Sequence, residues 1–192
     1  MSAIPKTKLT PAEYLEFERK SETKHEFFDG EIFAMSGAKR NHNKVMTNIS
    51  GLVWQHLKGR NCESYSSDMR VFVPETGLYT YPDLVVVCGE PKFQDNIFDT
   101  LLNPILLIEV FSDSTESYDR GKKFQHYRSI ESLQEYALVS QDEARIEKYV
   151  KRGDGFWLLS EAVGLDSEIE FSSIEHRITL VEVYDKIDFS VE

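Results

Sequence analysis

Two nearly continuous apolar runs, each beside a carboxylate, constrain the fold of this chain most. Leu84-Val85-Val86-Val87 directly follows Asp83, and Ile105-Leu106-Leu107-Ile108 directly precedes Glu109. Apolar runs without polar alternation are typical of central strands whose two faces are both covered. The sequence therefore predicts a sheet with helices on its faces, and it places two acids where a buried charge is costly.

Three further segments have helix patterns. Thr10-Pro11-Ala12-Glu13 combines an N-cap, a proline at the first helical position and the acid of a capping box, which predicts a helix to about Arg19. Apolar residues three and four apart predict an amphipathic helix over Asn41–Lys58, ended by Gly59. The pattern between Ser117 and Arg128 is also helical.

Strand-like runs occupy much of the remaining chain. A central strand, the Ser117–Arg128 helix and a further strand form a βαβ unit, which predicts parallel pairing within a mixed sheet. We expect an α/β or α+β fold, a central mixed sheet flanked by helices, in a single domain over residues 1–192. The predicted strands are His25–Phe28 and Glu31–Met35, joined by an Asp29-Gly30 hairpin turn, and Glu63–Val73, Tyr79–Cys88, Pro104–Phe111, Glu135–Ser140, Ala144–Lys151 and Phe156–Glu161.

Composition excludes several classes of protein. With 192 residues, 41% of them hydrophobic, the chain can form a core without disulfides or structural metals. No apolar segment approaches the roughly 20 residues of a membrane span, and Met1–Leu9 lacks the apolar stretch of a signal peptide, so we expect a cytoplasmic protein without a membrane partner. Cys62 and Cys88 are expected to be reduced and buried, because neither has a Cys or His at metal-ligand spacing.

The charge distribution bears on nucleic-acid binding. A formal net charge of −11 opposes binding to a polyphosphate. The segment Ile32–Cys62 nevertheless contains no acid and includes Lys39, Arg40 and Lys44. These three side chains are candidate phosphate contacts, and a solvated helix face is the alternative interpretation.

Asp83 and Glu109 are the first candidates for chemistry. Each could be a strand end emerging into water or a member of an ion pair. Together, two acids at corresponding ends of adjacent strands would converge on a hard divalent cation such as Mg²⁺, which can activate a water and neutralise a phosphodiester transition state.

The helix after Glu109 supplies a candidate cation. Lys123 is four residues after Asp119 and four before Tyr127, so the three side chains share one helix face. An Asp–Lys surface pair is the alternative to a role in catalysis.

The ordered motifs resemble the PD-(D/E)XK nuclease superfamily, and the nearest branch is similar to the Uma family of restriction endonuclease-like proteins. The resemblance spans roughly residues 10–160. It rests on Phe28-Asp29-Gly30-Glu31-Ile32, His42, Tyr81-Pro82-Asp83, Ile108-Glu109-Val110, Ser112-Asp113-Ser114-Thr115, Asp119 to Lys123 to Tyr127, and Glu135-Tyr136-Ala137-Leu138-Val139.

The resemblance implies a restriction-endonuclease-like fold with Asp83 and Glu109 as metal ligands for Mg²⁺ or Mn²⁺. The superfamily motif places its lysine two residues after the second acid, but this chain has Phe111 there. Lys123 on the next helix is the expected substitute, whereas Lys122 points about 100° away around that helix.

Four further residues match family positions or share the helix face. Asp119 and Tyr127 are expected accessory residues beside Lys123. His42 is an accessory candidate or a capping or core residue, and Glu31 is an accessory candidate or an exposed hairpin charge.

The resulting hypothesis is a metal-dependent endonuclease that hydrolyses DNA phosphodiester bonds, and a homodimer is expected because many proteins that cut both strands dimerise. One alternative keeps the fold without catalysis, as a degenerate module that binds nucleic acid or protein. A weaker alternative is a hydrolase of small phosphoesters.

Overall fold

The computed structural model describes residues 8–35, 37–112 and 115–190. Its helical segments are α1 (Pro11–Glu18), α2 (Arg40–Leu57), α3 (Glu116–Tyr118), a π-helical turn (Asp119–Lys123), α4 (Phe124–Tyr127), a 3₁₀ turn (Ser172–Ile174) and α5 (Leu180–Val183). Thr10 and Glu13 form the predicted capping box of α1. The helix α2 ends two residues before Gly59, whose φ of +79° suits a residue without a side chain.

Thirteen strands form three sheets within the described residues. The strands are β1 (His25–Phe28), β2 (Glu31–Ala34), β3 (Cys62–Ser66), β4 (Arg70–Val73), β5 (Leu78–Thr80), β6 (Leu84–Cys88), β7 (Thr100–Leu101), β8 (Leu106–Phe111), β9 (Glu135–Ser140), β10 (Arg145–Lys151), β11 (Trp157–Val163), β12 (Glu168–Phe171) and β13 (His176–Thr179). The predicted mixed α+β class is confirmed.

The larger sheet has the strand order β11-β10-β9-β8-β6-β3. Only β8 and β9 pair in parallel within it, and α3, the π-helical turn and α4 lie between them in sequence, as expected of a βαβ crossover. The second sheet has the order β2-β1-β5-β4-β7, and the third is the β12-β13 hairpin.

Two predicted strands were wrong because each is divided between sheets. Glu63–Val73 separates into β3 and β4 at a turn near Ser67, and Tyr79–Cys88 separates into β5 and β6 around Pro82. Proline has no backbone N–H for a strand ladder, so it marks a break there. Asp83 therefore lies between β5 of one large sheet and β6 of the other.

The two cysteines form a disulfide, so the prediction of reduced thiols was wrong. Cys62 and Cys88 are direct partners in the β3–β6 pair, with Cα atoms 3.9 Å apart, and both are only partly buried. The prediction considered neighbours along the chain, whereas the partner lies 26 residues away across the sheet.

The residues of β8 divide between two hydrophobic clusters. Leu106, Ile108 and Val110 pack in one cluster with the apolar face of α2. Leu107 and Phe111 pack in the other with Tyr127 of α4 and with the second sheet. Because side chains alternate along a strand, Glu109 lies on the face of Leu107 and Phe111.

The C-terminal segment completes the first cluster and was not predicted. Ile169 and Phe171 of β12, Ile178 of β13 and Leu180 of α5 pack there with α2. Within the described residues, no helix combines the length and apolarity that crossing a membrane requires.

Candidate functional site

Glu109 lies in a buried polar cluster that joins β8 to the following helical segments. Its Oε1 accepts hydrogen bonds from Nζ of Lys123 at 3.1 Å and from the hydroxyl of Tyr127 at 2.7 Å. All three residues are buried. Lys123 and Tyr127 are four positions apart at the junction of the π-helical turn and α4, so both side chains reach the same carboxylate.

Asp83 lies next to Glu109 because β6 pairs with β8. Oδ2 of Asp83 accepts the backbone N–H of Val110 at 2.8 Å. Nε2 of His42 lies 3.1 Å from Oδ1 of Asp83, which brings the first turn of α2 to the site. The structure therefore brings Asp83, Glu109, Lys123 and His42 into one neighbourhood.

Lys123 is surrounded by three carboxylates. Its Nζ lies 3.1 Å from Glu109, 3.3 Å from Asp119 and 3.6 Å from Glu26. Burial disfavours the ammonium ion, but the three acids outweigh this effect and raise the pKa of Lys123 well above its usual value. The side chain is therefore charged, and it carries its proton at every physiological pH.

The pKa values of two neighbouring carboxyl groups are also raised, which favours their neutral forms. Burial is the largest cause that raises the pKa of Glu109, to about 8, and the nearby Asp83 and Asp119 add to it, whereas Lys123 lowers it. Burial likewise raises the pKa of Asp119. One lysine thus stabilises too little of the surrounding negative charge, and a bound cation would favour the ionised forms.

Glu26 is a site residue that the sequence analysis missed. It is buried on β1, its Oε1 accepts the hydroxyl of Thr80 at 2.5 Å, and its Oε2 accepts the hydroxyl of Tyr118 at 3.0 Å. The available signal was the same as for Asp83 and Glu109, a carboxylate directly beside apolar residues in a strand. The family resemblance instead predicted Glu31, five residues later.

Phe111 occupies the position on β8 where the superfamily motif has its lysine. Phe111 lies two residues after Glu109 on the same face of β8, where it is buried and has the guanidinium of Arg120 5.5 Å from its ring centroid. A lysine at that position would point toward the cluster, and Lys123 reaches the same carboxylate from the π-helical turn.

The remaining predicted residues lie outside this cluster. The side chain of Glu31 is exposed and makes no hydrogen bond or ion pair with the described part of the chain. Lys39 and Arg40 are exposed at the beginning of α2, near His42 in sequence. Lys44 donates to the backbone carbonyl of Lys186, so its ammonium is held by the C-terminal segment. Asp113 and Ser114 of the family motif lie outside the described residues.

The donor set suits a hard divalent cation. The carboxylates around Lys123 and beside Glu109 outnumber the one buried ammonium; they are Glu26, Asp83, Glu109 and Asp119. The described residues contain no group of three or more histidine, cysteine or acidic side chains arranged to hold a metal by itself. Mg²⁺ is commonly held by one or two carboxylates and keeps water and substrate oxygens as its other ligands, so Asp83 and Glu109 fit it.

A family model described as Uma2, "Putative restriction endonuclease", matches residues 11–180. That range contains every residue of the cluster and also the C-terminal strands, which lie beyond the roughly 10–160 range of the motif resemblance. The chain belongs to the Uma2 family.

Relatives of this Uma2 chain include two proteins of Synechocystis sp. (strain ATCC 27184 / PCC 6803 / Kazusa). The uncharacterized protein sll1609 is 44% identical over 173 residues, which cover 90% of this chain and 98% of the relative. The uncharacterized protein slr1290 is 39% identical over 187 residues, which cover 97% of each.

A solved structure has the Uma2 chain's fold. The crystal structure of a putative nuclease belonging to DUF820 from Anabaena variabilis ATCC 29413 superimposes with a TM-score of 0.75 and 16% sequence identity. The alignment covers 95% of this chain and 98% of the other. This similarity shows that the two chains share a fold.

Proposed function

We propose that this protein is a Mg²⁺- or Mn²⁺-dependent endonuclease that hydrolyses DNA phosphodiester bonds. Its catalytic residues would be Asp83, Glu109 and Lys123. The observation that carries the proposal is the surplus of buried carboxylates around one ammonium, beside Asp83 between the two large sheets. Family membership supports the reaction class.

Asp83 and Glu109 would hold the metal ion. When bound, the ion would polarise the scissile phosphate and lower the pKa of a coordinated water. The backbone N–H of Val110 and the ring of His42 fix the Asp83 carboxylate, and Tyr127 fixes that of Glu109. Oriented carboxylates need no reorganisation when the charge of the transition state develops.

Lys123 would act as a proton-holding donor, not as the base. The acids around it raise its pKa well above the usual value, so it does not accept a proton from water at neutral pH. Its ammonium can orient the attacking water by a hydrogen bond, or stabilise the charge that develops on the phosphate oxygens.

Lys39 and Arg40 would contact the DNA backbone. Both are exposed at the beginning of α2, where His42 reaches Asp83. Because Lys44 donates to the backbone carbonyl of Lys186, we expect it to contribute less to DNA binding than Lys39 and Arg40 do. With a net charge of −11, we expect local and metal-assisted binding that weakens as salt rises.

Metal binding and cleavage test the proposal together. Isothermal titration with Mg²⁺ and Mn²⁺ should show binding that Asp83→Asn abolishes, and the wild-type protein should cut plasmid DNA with either ion but not in EDTA. Asp68→Asn, a change of an exposed acid between β3 and β4, is the matched control and should preserve both properties.

Each rival function predicts a different result. DNA binding without cleavage in either ion would overturn the enzyme and favour the degenerate module. Turnover of a small phosphodiester that salt does not weaken, without plasmid cleavage, would favour the small-phosphoester hydrolase.

We also propose a homodimer that pairs through β11. This strand is the edge of the larger sheet, and Leu158, Leu159 and Val163 on it are exposed. An exposed apolar edge strand can pair with its own copy about a two-fold axis, which would supply the second site for cutting both strands. Light scattering should give twice the chain mass of 22.2 kDa, and Leu159→Lys should give the monomer mass. A monomeric wild type would contradict the pairing.

A further inference from the structure

An exposed aromatic side chain, Phe33, lies on the same sheet face as the buried acid Glu26. The two residues are direct partners in the antiparallel β1–β2 pair. Directly opposed residues project to the same face, with Cβ atoms about 4.5–5.5 Å apart. Glu26 reaches Lys123 inside the site, whereas Phe33 is 48% exposed at the edge strand β2. Next to the buried acid Glu26, the neighbouring edge strand therefore presents the exposed ring of Phe33.

A second partly exposed ring approaches the same acid from the helical side. The hydroxyl of Tyr118 donates to Glu26 at 3.0 Å, and Nζ of Lys123 lies 5.8 Å from the centroid of its ring. Tyr118 is 37% exposed. Two aromatic side chains from β2 and α3 thus flank Glu26 where the cluster meets solvent.

The packing of the hairpin does not require Phe33. The opposite face of the β1–β2 ribbon supplies its hydrophobic contacts, since Phe27 is buried against Tyr14 and Tyr79 and Ile32 packs on this group. Phe33 instead lies on the other face of the ribbon, together with Glu26, Phe28 and Glu31. An exposed ring at the opening of a polar site offers an apolar face to a ligand.

The negative charge of the protein disfavours a ligand that binds only through its phosphates. The protein carries a net charge of −11, and four carboxylates surround the site. Binding through the phosphate backbone depends on lysine and arginine, whereas base stacking on an aromatic ring needs no positive charge and contributes to binding for every base.

We propose that Phe33, with Tyr118, forms a platform on which an unpaired DNA base stacks beside the scissile phosphate. The preferred substrate is therefore single-stranded or locally unpaired DNA, because a base within an intact duplex has no free face. This inference rests on the proposed nuclease function and specifies its substrate.

Binding of synthetic oligonucleotides tests the platform without cleavage. Fluorescence anisotropy in EDTA, and again in Ca²⁺, would compare a single strand, the same strand as a duplex, and a series in which one abasic nucleotide is moved stepwise along the strand. The variants are Phe33→Ala, Phe33→Trp and the control Phe98→Ala. Phe98 is also exposed, but it precedes β7 at the opposite edge of the same sheet.

We expect the loss of the Phe33 ring and the loss of the stacked base to weaken single-strand binding in the same way. Phe33→Ala should weaken the Kd about tenfold, Phe33→Trp should restore it, and Phe98→Ala should leave it unchanged. One abasic position should weaken wild-type binding to a similar degree but have no effect on Phe33→Ala, because the stacked pair is already lost. Equal melting temperatures would show that all variants fold.

Failure of the platform and failure of the nuclease give different results. Equal affinity of Phe33→Ala and wild type, a flat abasic series, or preference for the duplex would overturn the platform, even where metal-dependent cleavage persists. Base-dependent binding without cleavage in Mg²⁺ or Mn²⁺ would support the platform and overturn the nuclease.

Discussion

Two clusters of charged residues contact the five-stranded sheet, and the pKa values of their carboxyl groups are shifted in opposite directions. The first is the site cluster around Lys123. The second, the Arg70 network, lies near α1 and consists of Glu18, Arg19, His25, Arg70, Tyr81, Asp95, Asp99 and Thr100. In the first cluster the pKa of Glu109 is raised, and in the second the pKa of Asp99 is lowered.

The Arg70 network gives its charged groups matched partners. Arg70 donates to Thr100 at 2.9 Å and to Tyr81 at 2.8 Å, and its Nη2 lies 2.9 Å from Asp99. Tyr81 donates in turn to Glu18 at 3.0 Å. Hydrogen bonds and ion pairs of this kind hold elements in place, here α1, β4 and the segment that precedes Asp83, although Nη2 of Arg70 has an ion pair but no hydrogen-bond partner within the described residues.

The site cluster leaves negative charge unmatched. Three carboxylates share the ammonium of Lys123, and no described arginine joins them. The comparison teaches that burial alone does not distinguish a functional cluster from a structural one. The balance of charge distinguishes these two clusters, because protons or a bound cation must neutralise a surplus of buried carboxylates.

Replacing the one lysine of the site should have the largest effect. Lys123→Met removes the donor that we propose faces the reacting groups, and we expect the DNA cleavage rate to fall about 10²–10³-fold, as for the loss of other donors that stabilise transition-state charge. Lys122→Met, an exposed neighbour, should keep the wild-type rate. Single-turnover cleavage in saturating Mn²⁺ is the measurement.

Lys123→Arg separates this loss from a folding defect. Arginine keeps the positive charge among the acids, so the protein should fold, but its planar group places its donors differently. Cleavage at the wild-type rate by Lys123→Met would show that the lysine takes no part in the reaction. Cleavage at that rate by Lys123→Arg would show that a positive charge at this position is sufficient.

Replacing the central cation of the second network should affect stability instead. Arg70→Met leaves Tyr81 and Thr100 without a donor partner in a buried region, and we expect the free energy of unfolding to fall by about 3 kcal/mol. Urea denaturation measures this change, and Arg152→Met, an exposed control, should change it little. A stable Arg70→Met variant would mean that the network does not hold the fold.

How much could be predicted from the sequence differs between the same two regions. The apolar runs identified the central strands, and the acids beside them gave Asp83 and Glu109, because burial leaves a strong pattern along a strand. Helical spacing grouped Asp119, Lys123 and Tyr127. Contacts of the first hairpin with this cluster could not be predicted in this way, since Glu26 reaches Lys123 only after two sheets come together.

The divided strands and the Arg70 network were missed for the same physical reason. Propensity and alternation continue through Tyr79–Cys88, and only the sheet partners show that Pro82 separates two strands. Arg70 looks like an exposed strand charge until Thr100, 30 residues later, and Tyr81 surround it. Long-range pairing, not local pattern, decides both.

At the site cluster, we expect the stability of the metal-free protein to fall as the pH rises. Burial raises the pKa of Glu109 to about 8 from 4.5, so the folded state holds a proton that the unfolded state loses. Without metal, this group's contribution to stability is complete below pH 4.5 and is lost as the pH rises toward 8. Glu109→Gln should remove that loss and unfold less readily at pH 8, by on the order of 1 kcal/mol. Urea titrations in EDTA at pH 5 and pH 8 measure the difference. A pH profile unchanged by the substitution would contradict the raised pKa.

The Arg70 network should show a smaller dependence of the opposite sign. Hydrogen bonds from Arg19 hold the pKa of Asp99 well below its usual 3.8, so its contribution to stability is present above that value and is lost as the pH falls through the folded pKa. Asp99→Asn should therefore reduce the stability lost between pH 5 and pH 2. Because Asp99 is partly exposed and solvent screens its pairs, we expect less than about 1 kcal/mol. Thermal unfolding across that range measures it, and Asp68→Asn serves as the exposed control. If the control alters acid stability as much as Asp99→Asn, the effect belongs to general charge repulsion and not to the matched partners that distinguish this network from the site.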